Sequence, residues 1–302
     1  MASRFAALAK EMALTISKPG VIDSPAIPFM SLVRFDAPTA MQSGMLRPSV
    51  CIALQGQKAL KIGEQNCRYG AGEFLISGVK LPLSGQVVNA SPDAPYLGLT
   101  LRFEAEDIFN LLTQSEMAVP DGKELNPVSF IGHCPAPLTD VIARLLAQHQ
   151  SGGDRYLCSL LRNECLYYLL QSTNGQALAR TLLKGREQGL NRALSWLNQH
   201  FAEPLKVEEL ASQAGMSVSH FHRRFKAVMS LGPLQYQKQL RLIEARRQLM
   251  TGKAEAASVA FAVGYESPSQ FSREYRRLFG LPPMQDMQHW QNHIEQDQAI
   301  NG

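Results

Sequence analysis

The sequence predicts an α+β chain: a compact β-barrel or sandwich with accessory helices in the N-terminal half, and an all-α C-terminal domain that holds two helix-turn-helix units. Three observations predict it. Between Ser49 and Phe103, short apolar segments alternate with glycines at Gly56, Gly63, Gly70, Gly72, Gly78 and Gly85, at seven-residue or similar intervals, as short strands require. From Glu104 onward the apolar residues fall at helical spacing instead. Finally, one pattern of helix, glycine turn, serine and second helix is written twice, about fifty residues apart: LKVEELASQAGMSVSHFHRRFKAV (Leu205 to Val228) and AEAASVAFAVGYESPSQFSREYRRLFG (Ala254 to Gly280).

In chain order, the opening MASRFAALAKEMALT places Lys10 and Glu11 where a secretory signal needs an unbroken apolar stretch. No apolar run approaches the roughly eighteen residues of a membrane span, so a cytoplasmic protein with no membrane partner is expected. The stretch before Ser49, punctuated by Pro19, Pro25, Pro28 and Pro38, is expected to fold over the barrel opening as an arm. Within the barrel, strand alternation offers Leu54, Tyr69, Phe74, Ile76, Leu81, Leu83, Leu99 and Leu101 as interior residues, core positions first and ligand contacts second. Lys80 is the charge expected near its mouth. Helices are expected over Glu104 to Thr113, Ala136 to His149 and Arg155 to Gln171, the last with a stripe of Leu157, Leu160, Leu161, Cys165, Tyr168 and Leu169 for the barrel or a second subunit. Asn174 and Gly175 are expected to break that helix, and Gly185 and Gly189 to flank the next. The expected parts are therefore residues 1–173, a linker 174–189 and a domain 190–302 that opens with a helix from Leu190 to Phe201.

In the first helix-turn-helix copy, Val207, Leu210, Ala211 and Ala214 make the buried stripe of a short helix. Gly215 stands where the helix must end in a left-handed residue, and Ser217 stands where a hydroxyl caps the next helix. Val218, Phe221, Phe225 and Val228 of that helix point inward, leaving Ser219, His222, Arg223 and Lys226 outside. In the second copy, Val259, Ala262 and Val263 precede Gly264, and Ser267 caps a helix with Phe271, Tyr275 and Leu278 inward and Ser269, Ser272, Arg273 and Arg276 outward. A short helix with a polar, basic outer face suits a DNA major groove. Between the copies, GPLQYQKQLRLIEARRQLM (Gly232 to Met250) opens with Pro233 in its first turn and reads as one helix. At about 1.5 Å per residue it forms a rod of about 25 Å, which can hold the two recognition helices near the roughly 34 Å that separates successive major-groove faces.

The charge distribution agrees. Residues 1–183 hold 15 Lys plus Arg against 15 Asp plus Glu, whereas 184–302 hold 15 against 11, the whole net excess of +4. The cations cluster at Arg223, Arg224 and Lys226, at Arg241, Arg246 and Arg247, and at Arg273, Arg276 and Arg277. Part of each cluster is solvated helix face, and the coincidence with the second helices favours phosphate contact.

These C-terminal segments, SVSHFHRRFK, GPLQYQKQLRLIEARRQLM and VAFAVGYESPSQFSREYRRLFG with Pro282 and Pro283 after them, resemble the AraC/XylS family of bacterial transcription regulators. The resemblance implies seven helices in two subdomains, with one recognition helix from each entering adjacent major grooves. It implies Ser219, His222, Arg223, Ser269, Ser272 and Arg273 as base readers, beside Arg224, Lys226 and Arg276. In one place the chain departs from the pattern: Asp286 and Met287 stand where the family carries an aromatic residue and an arginine, so the packing of the last helix is an open point.

In the N-terminal half, SVCIALQGQKALKIGE, YGAGEFLISGVKLPLSGQVVNAS and APYLGLTLRFE resemble the cupin-like effector domain of one branch of the same family, over about residues 25–180. That implies a cupin-like β-barrel that binds a small-molecule effector and supports a homodimer, with Tyr69, Phe74, Ile76, Lys80 and Leu81 as candidate contacts. The expected partners are double-stranded DNA, the effector, RNA polymerase and a second copy, and the expected output is activation. No cofactor, metal or catalytic residue is expected. The first histidine, His133, falls beyond the last expected strand, so the barrel lacks the imidazoles of a cupin metal site and a base for Ser77 or Ser84. His220 and His222 both belong to the recognition helix, one read as a packing or capping residue and the other as facing DNA. Five cysteines without a C-x-x-C pair argue against a disulfide framework or zinc site. A redox role is considered for Cys51 or Cys67, while Cys158 and Cys165 read as core. The alternatives are a constitutive DNA binder with a structural N-domain, and a cupin enzyme fused to a DNA-binding tail.

Overall fold

The glycine rhythm between Ser49 and Phe103 becomes a two-sheet sandwich. The computed structural model describes residues 2–115, 117, 127–187, 189–251 and 255–289. The chain divides into two compact units, formed mainly by residues 1–187 and 188–302.

The first unit runs α1 (Ala2–Thr15), β1 (Gly20–Asp23), β2 (Met30–Phe35), β3 (Gln42–Leu46), β4 (Ser49–Gln55), β5 (Gln57–Ile62), β6 (Gln65–Gly70), β7 (Glu73–Ser77), β8 (Leu81–Asn89), β9 (Tyr96–Arg102), α2 (Ala105–Gln114), β10 (Ser129–His133), α3 (Ala136–Gln150), α4 (Arg155–Leu170) and α5 (Thr173–Glu187). One sheet has the order β1-β2-β9-β4-β7-β10 and the other β3-β8-β5-β6. Gly63, at φ +60°, makes the two-residue turn between β5 and β6. Gly56, at φ +77°, carries the chain from one sheet to the other, and a Cβ there would stand 2.6 Å from the Asn89 carbonyl.

The register of the larger sheet assigns its faces. Val50 pairs with Leu101 and Ile76, and Ile52 with Leu99 and Phe74, so these residues share one face. Arg34, on that face of β2, donates to the carbonyls of Ala13 and Ile16 at 3.4 and 2.8 Å, which turns the face toward α1. The opposite face carries Cys51, Leu75, Tyr96 and Thr100, and it looks across to the second sheet, where Lys58 reaches the Tyr96 ring at 4.7 Å. Consequently Phe74, Ile76, Leu99 and Leu101 are buried against helices and not between the sheets, while Leu54 is buried at the register shift between Ala53 and Gln55. Both faces of this sheet are buried, so the sequence alternation that would separate them is missing.

Residues before Ser49 form no arm over an opening. Phe5, Leu8, Ala9, Met12 and Ile16 make a buried stripe by which α1 packs on β4, β9 and α3, and β1 and β2 add to the larger sheet. The prolines sit in the connections, where no ladder donor is missed. The segment expected as a linker is helical through Glu187: Leu178, Ala179 and Leu182 are buried, and a Cβ on Gly78 would meet the Leu182 side chain at 2.7 Å. The helix break falls at Gln171 and Ser172, ahead of Asn174 and Gly175.

The second unit contains α6 (Leu190–Gln199), α7 (Val207–Gln213), α8 (Val218–Met229), α9 (Pro233–Met250), α10 (Ala256–Ala262), α11 (Pro268–Phe279) and a further helix over 283–289, seven among the described residues. Leu194, Leu197, Leu210, Phe221, Phe225 and Tyr236 are buried in its first half. Leu242, Ala245, Leu249, Val259, Phe271 and Tyr275 form the core of the second. Each large side chain so buried contributes about 1.5–3 kcal/mol.

Candidate nucleic-acid interface

The two helix-turn-helix copies fold by the same local bonds. Gly215 and Gly264 take φ +67° and +91°. The next residue then closes each helix by a six-to-one bond, Met216 N to Ala211 O at 2.8 Å and Tyr265 N to Ala260 O at 2.9 Å. Ser217 Oγ accepts from His220 N at 3.3 Å and Ser267 Oγ from Gln270 N at 3.4 Å, each cap worth about 1 kcal/mol. The turns differ by one residue, Gly215-Met216-Ser217 against Gly264-Tyr265-Glu266-Ser267.

This fixes what each second helix presents. On α8, Ser219, His222, Arg223 and Lys226 are exposed around the buried Phe221 and Phe225. Arg224 departs from that face: it is half-buried, its Nε is shut from solvent without a partner, and burial lowers its pKa. His220 is exposed, so it does not pack inward as one reading expected. On α11, Ser269, Arg273 and Arg276 are exposed and Ser272 is half-buried, around Phe271 and Tyr275.

Two of the cations counted toward phosphate contact instead hold the unit together. Arg241 of α9 donates through Nε to Phe201 O (2.7 Å), through Nη1 to Gly264 O (2.6 Å), and through Nη2 to Ala202 O (3.1 Å) and Glu203 O (2.8 Å). One guanidinium thus ties the end of the first α6 connection to the turn of the second helix-turn-helix. Gly264 is bound to this arrangement, because a Cβ there would overlap the Ala202 carbonyl. Arg246 forms a fork with Asp286, at 2.8 and 3.0 Å, and Asp286 also accepts from Tyr275 Oη at 2.7 Å. The departure at Asp286 is therefore a buried anchor for the last helix, with Met287 packed on the core of the second copy. Arg247 pairs with Glu244 on its own helix.

In the first unit, the register settles which expected contacts meet. Tyr69 and Leu81 are buried on the inner face of the second sheet, since β6 and β8 flank β5 there. Lys80 is exposed in the loop before β8, and Phe74 and Ile76 face the helices. The side chains that gather with Tyr69 are Lys58, Tyr96, Cys51 and Thr100. Tyr69 hydrogen-bonds Tyr96, and Thr100 Oγ1 lies 3.6 Å from Cys51 Sγ. Burial raises the Tyr69 and Tyr96 hydroxyls well above the ordinary tyrosine range and lowers Lys58. Only Tyr69 of this group was named from sequence as an interior contact. Lys58 was legible in principle: Lys58, Leu60 and Ile62 alternate with the exposed Lys61. Burial pushes the Cys67 thiol up, away from the thiolate that redox sensing uses. His133 ends β10, a strand that the sequence pattern did not reveal, and lies 3.6 Å from Glu73.

Comparisons with known proteins agree with this arrangement. A family model described as the N-terminus of AraC-type transcriptional regulators matches residues 26–177, and one described as a helix-turn-helix domain matches residues 210–289. The transcriptional activator RhaS of Escherichia coli K12 is 30% identical over 143 residues, 47% of this chain and 51% of RhaS. The chain thus spans about half the length of the curated relatives it matches. Among solved structures, ToxT from Vibrio cholerae strain SCE256 with a bound unsaturated fatty acid aligns with a TM-score of 0.57 at 9% identity, covering 85% of this chain and 94% of that one. ToxT from Vibrio cholerae O395 aligns at 0.55 and 8% identity, covering 85% and 96%. At such identities the likeness concerns the fold alone.

Proposed function

The chain belongs to the AraC-type transcriptional regulators, and from that premise we propose that it binds a specific DNA sequence through α8 and α11 and activates transcription under the control of a small molecule held by the first unit. The observation that carries the reading is the pair of recognition helices that each follow a left-handed glycine, carry a serine cap and present an exposed basic face. Ser219, His222 and Arg223 read bases in one major groove, and Ser269, Ser272 and Arg273 read bases in the next. Lys226 and Arg276 meet phosphates. Arg223 and Arg273 are the strongest readers, each forking onto guanine O6 and N7.

The α9 rod holds the two helices in register, with Arg241 and Arg246 locking each half to it. Residues 1–173 hold the effector and the dimer contact, residues 190–302 read DNA, and α5 leads from one to the other. Effector binding shifts the population of dimers that reach two half-sites together, and RNA polymerase is the partner that receives the output. The protein works in the cytoplasm as a regulator and not as an enzyme; no helix among the described residues is long and apolar enough to cross a membrane. A gel-shift series tests the DNA reading. Arg223→Ala and Arg273→Ala should each weaken specific binding by about 1–3 kcal/mol and relax one position of the site, and specific binding that survives in the double variant contradicts it.

A further inference from the structure

The register of the larger sheet brings three chain segments together at one end of the first unit. Met30, which opens β2, lies beside Leu101, and Ser49, which opens β4, lies beside Arg102 at the close of β9. Backbone bonds pin the connections there: Arg102 N donates to Phe29 O at 2.7 Å and Phe103 N to Pro48 O at 3.1 Å. These connections border a cleft of about 250 Å³ lined by an arginine from each of three elements, Arg47 from before β4, Arg102 from β9 and Arg162 from α4.

Two of the guanidiniums are fixed in place with donors left over. Arg102 directs Nη1 to Asp23 Oδ1 (3.1 Å) and Ser31 Oγ (2.7 Å) and Nη2 to Pro28 O (2.7 Å), and its Nε makes no bond among the described residues. Arg162 donates through Nη2 to Asp107 Oδ1 at 2.7 Å and lies over the Phe29 ring at 4.8 Å. Its Nε is shut from solvent and has no acceptor among the described residues, an arrangement that is costly for a charged donor. Arg47 is exposed and has no carboxylate partner among the described residues. Phe29, Pro48 and the buried Phe103 give the cleft an apolar wall, and Glu104 is the acid among its lining residues.

Asp23 and Asp107 already balance two of the three cations, and Glu104 opposes an anion. Binding therefore rests on directed N–H bonds and on Arg47. A carboxylate offers two oxygens and one charge, too few to engage guanidiniums from three elements. A phosphoryl group offers three oxygens and about two charges at neutral pH, and the planar guanidinium fork is the side-chain group that matches it. The cleft also exceeds the size of a bare oxyanion. We infer that it binds a small phosphomonoester, its phosphoryl group on Arg47, Arg102 and Arg162 and its organic body on the wall of Phe29 and Pro48. This site goes beyond the proposed function, and its test needs no change in DNA binding.

The test is calorimetry on the full-length protein at constant ionic strength and about pH 7.5, where the phosphoryl group is a dianion. Phenyl phosphate and glycerol 3-phosphate are compared with inorganic phosphate and benzoate. At least one ester should bind, and more tightly than inorganic phosphate or benzoate. Arg47→Met should weaken it by about tenfold or more, as the loss of a charge-assisted hydrogen bond does. Glu104→Gln should tighten it by about two- to fivefold, because a like charge is removed. Both side chains are exposed, so both variants keep the fold. The double variant Arg223→Ala, Arg273→Ala should bind the ester unchanged, which separates this cleft from the DNA-reading helices. The inference is overturned if neither ester binds, if inorganic phosphate or benzoate binds as tightly, if Arg47→Met matches the wild type, if Glu104→Gln weakens binding, or if the double variant loses the ester.

Discussion

Replacing Arg241 by methionine keeps the aliphatic stem and removes a guanidinium that serves four carbonyls. Two of them keep a donor, because Gln237 Nε2 also reaches Phe201 O at 3.0 Å and Glu203 O at 2.7 Å. The carbonyls of Ala202 and Gly264 lose theirs. At about 1–3 kcal/mol per acceptor left unpaired, and with both sites half-buried so that water offsets part of the loss, the expected destabilisation is about 3 kcal/mol. The chain has two tryptophans, at 196 and 290, and none lies in sequence before residue 188, so urea unfolding followed by tryptophan fluorescence reads the second unit within the intact protein. The exposed Arg247, paired only with Glu244 on its own helix, is the control, and Arg247→Met should leave the midpoint in place. A loss below about 0.5 kcal/mol for Arg241→Met, the scale of an ordinary surface change, refutes the clamp.

Two further predictions come from the same unit. Ser230, after α8, holds φ +59° where Gly280 holds the matching position after α11, so Ser230→Gly should raise stability by up to about 1 kcal/mol; a fall in the urea midpoint contradicts this. Burial pushes the Glu274 carboxyl up, but hydrogen bonds from Lys238, Tyr265 and Gln270 outweigh it and hold its pKa below the ordinary 4.5. A carboxyl depressed in the folded state contributes stability above its unfolded value and loses it as the pH falls through the folded one. The stability gap between wild type and Glu274→Gln, present at neutral pH, should therefore shrink below about pH 4.5, and a gap that stays constant into that range removes Glu274 from the account.

The C-terminal unit was legible because its signals are local. Gly215, Gly264, Ser217 and Ser267 each act within one turn of chain, and the buried Phe221, Phe225, Phe271 and Tyr275 keep helical spacing. Direction was not legible. Sequence shows that Arg223, Arg224, Arg241 and Arg246 are cationic, but only packing separates an exposed Arg223 from a half-buried Arg224 and from the clamps Arg241 and Arg246. In the first unit the strands from Ser49 to Arg102 were visible through their glycines, whereas β1 and β2 were hidden behind prolines and β10 stands apart from the others in sequence. The α1 stripe of Phe5, Leu8, Ala9 and Met12 stands in the sequence at helical spacing, but a stripe alone does not say which surface it packs on. Phe74 and Ile76 could not be told from gap-facing residues, because a sheet covered on both faces shows no polar side.

Two recognition helices, α8 and α11, are proposed to read one DNA site together. Selection of binding sites from a random duplex library measures this directly, with the full-length wild type, Arg223→Ala and Arg273→Ala run side by side. The wild type should enrich two short boxes about one helical turn apart, roughly 10 base pairs, Arg223→Ala should blur one box, and Arg273→Ala should blur the other. No enriched motif with the wild type, or one unchanged motif from all three proteins, contradicts it.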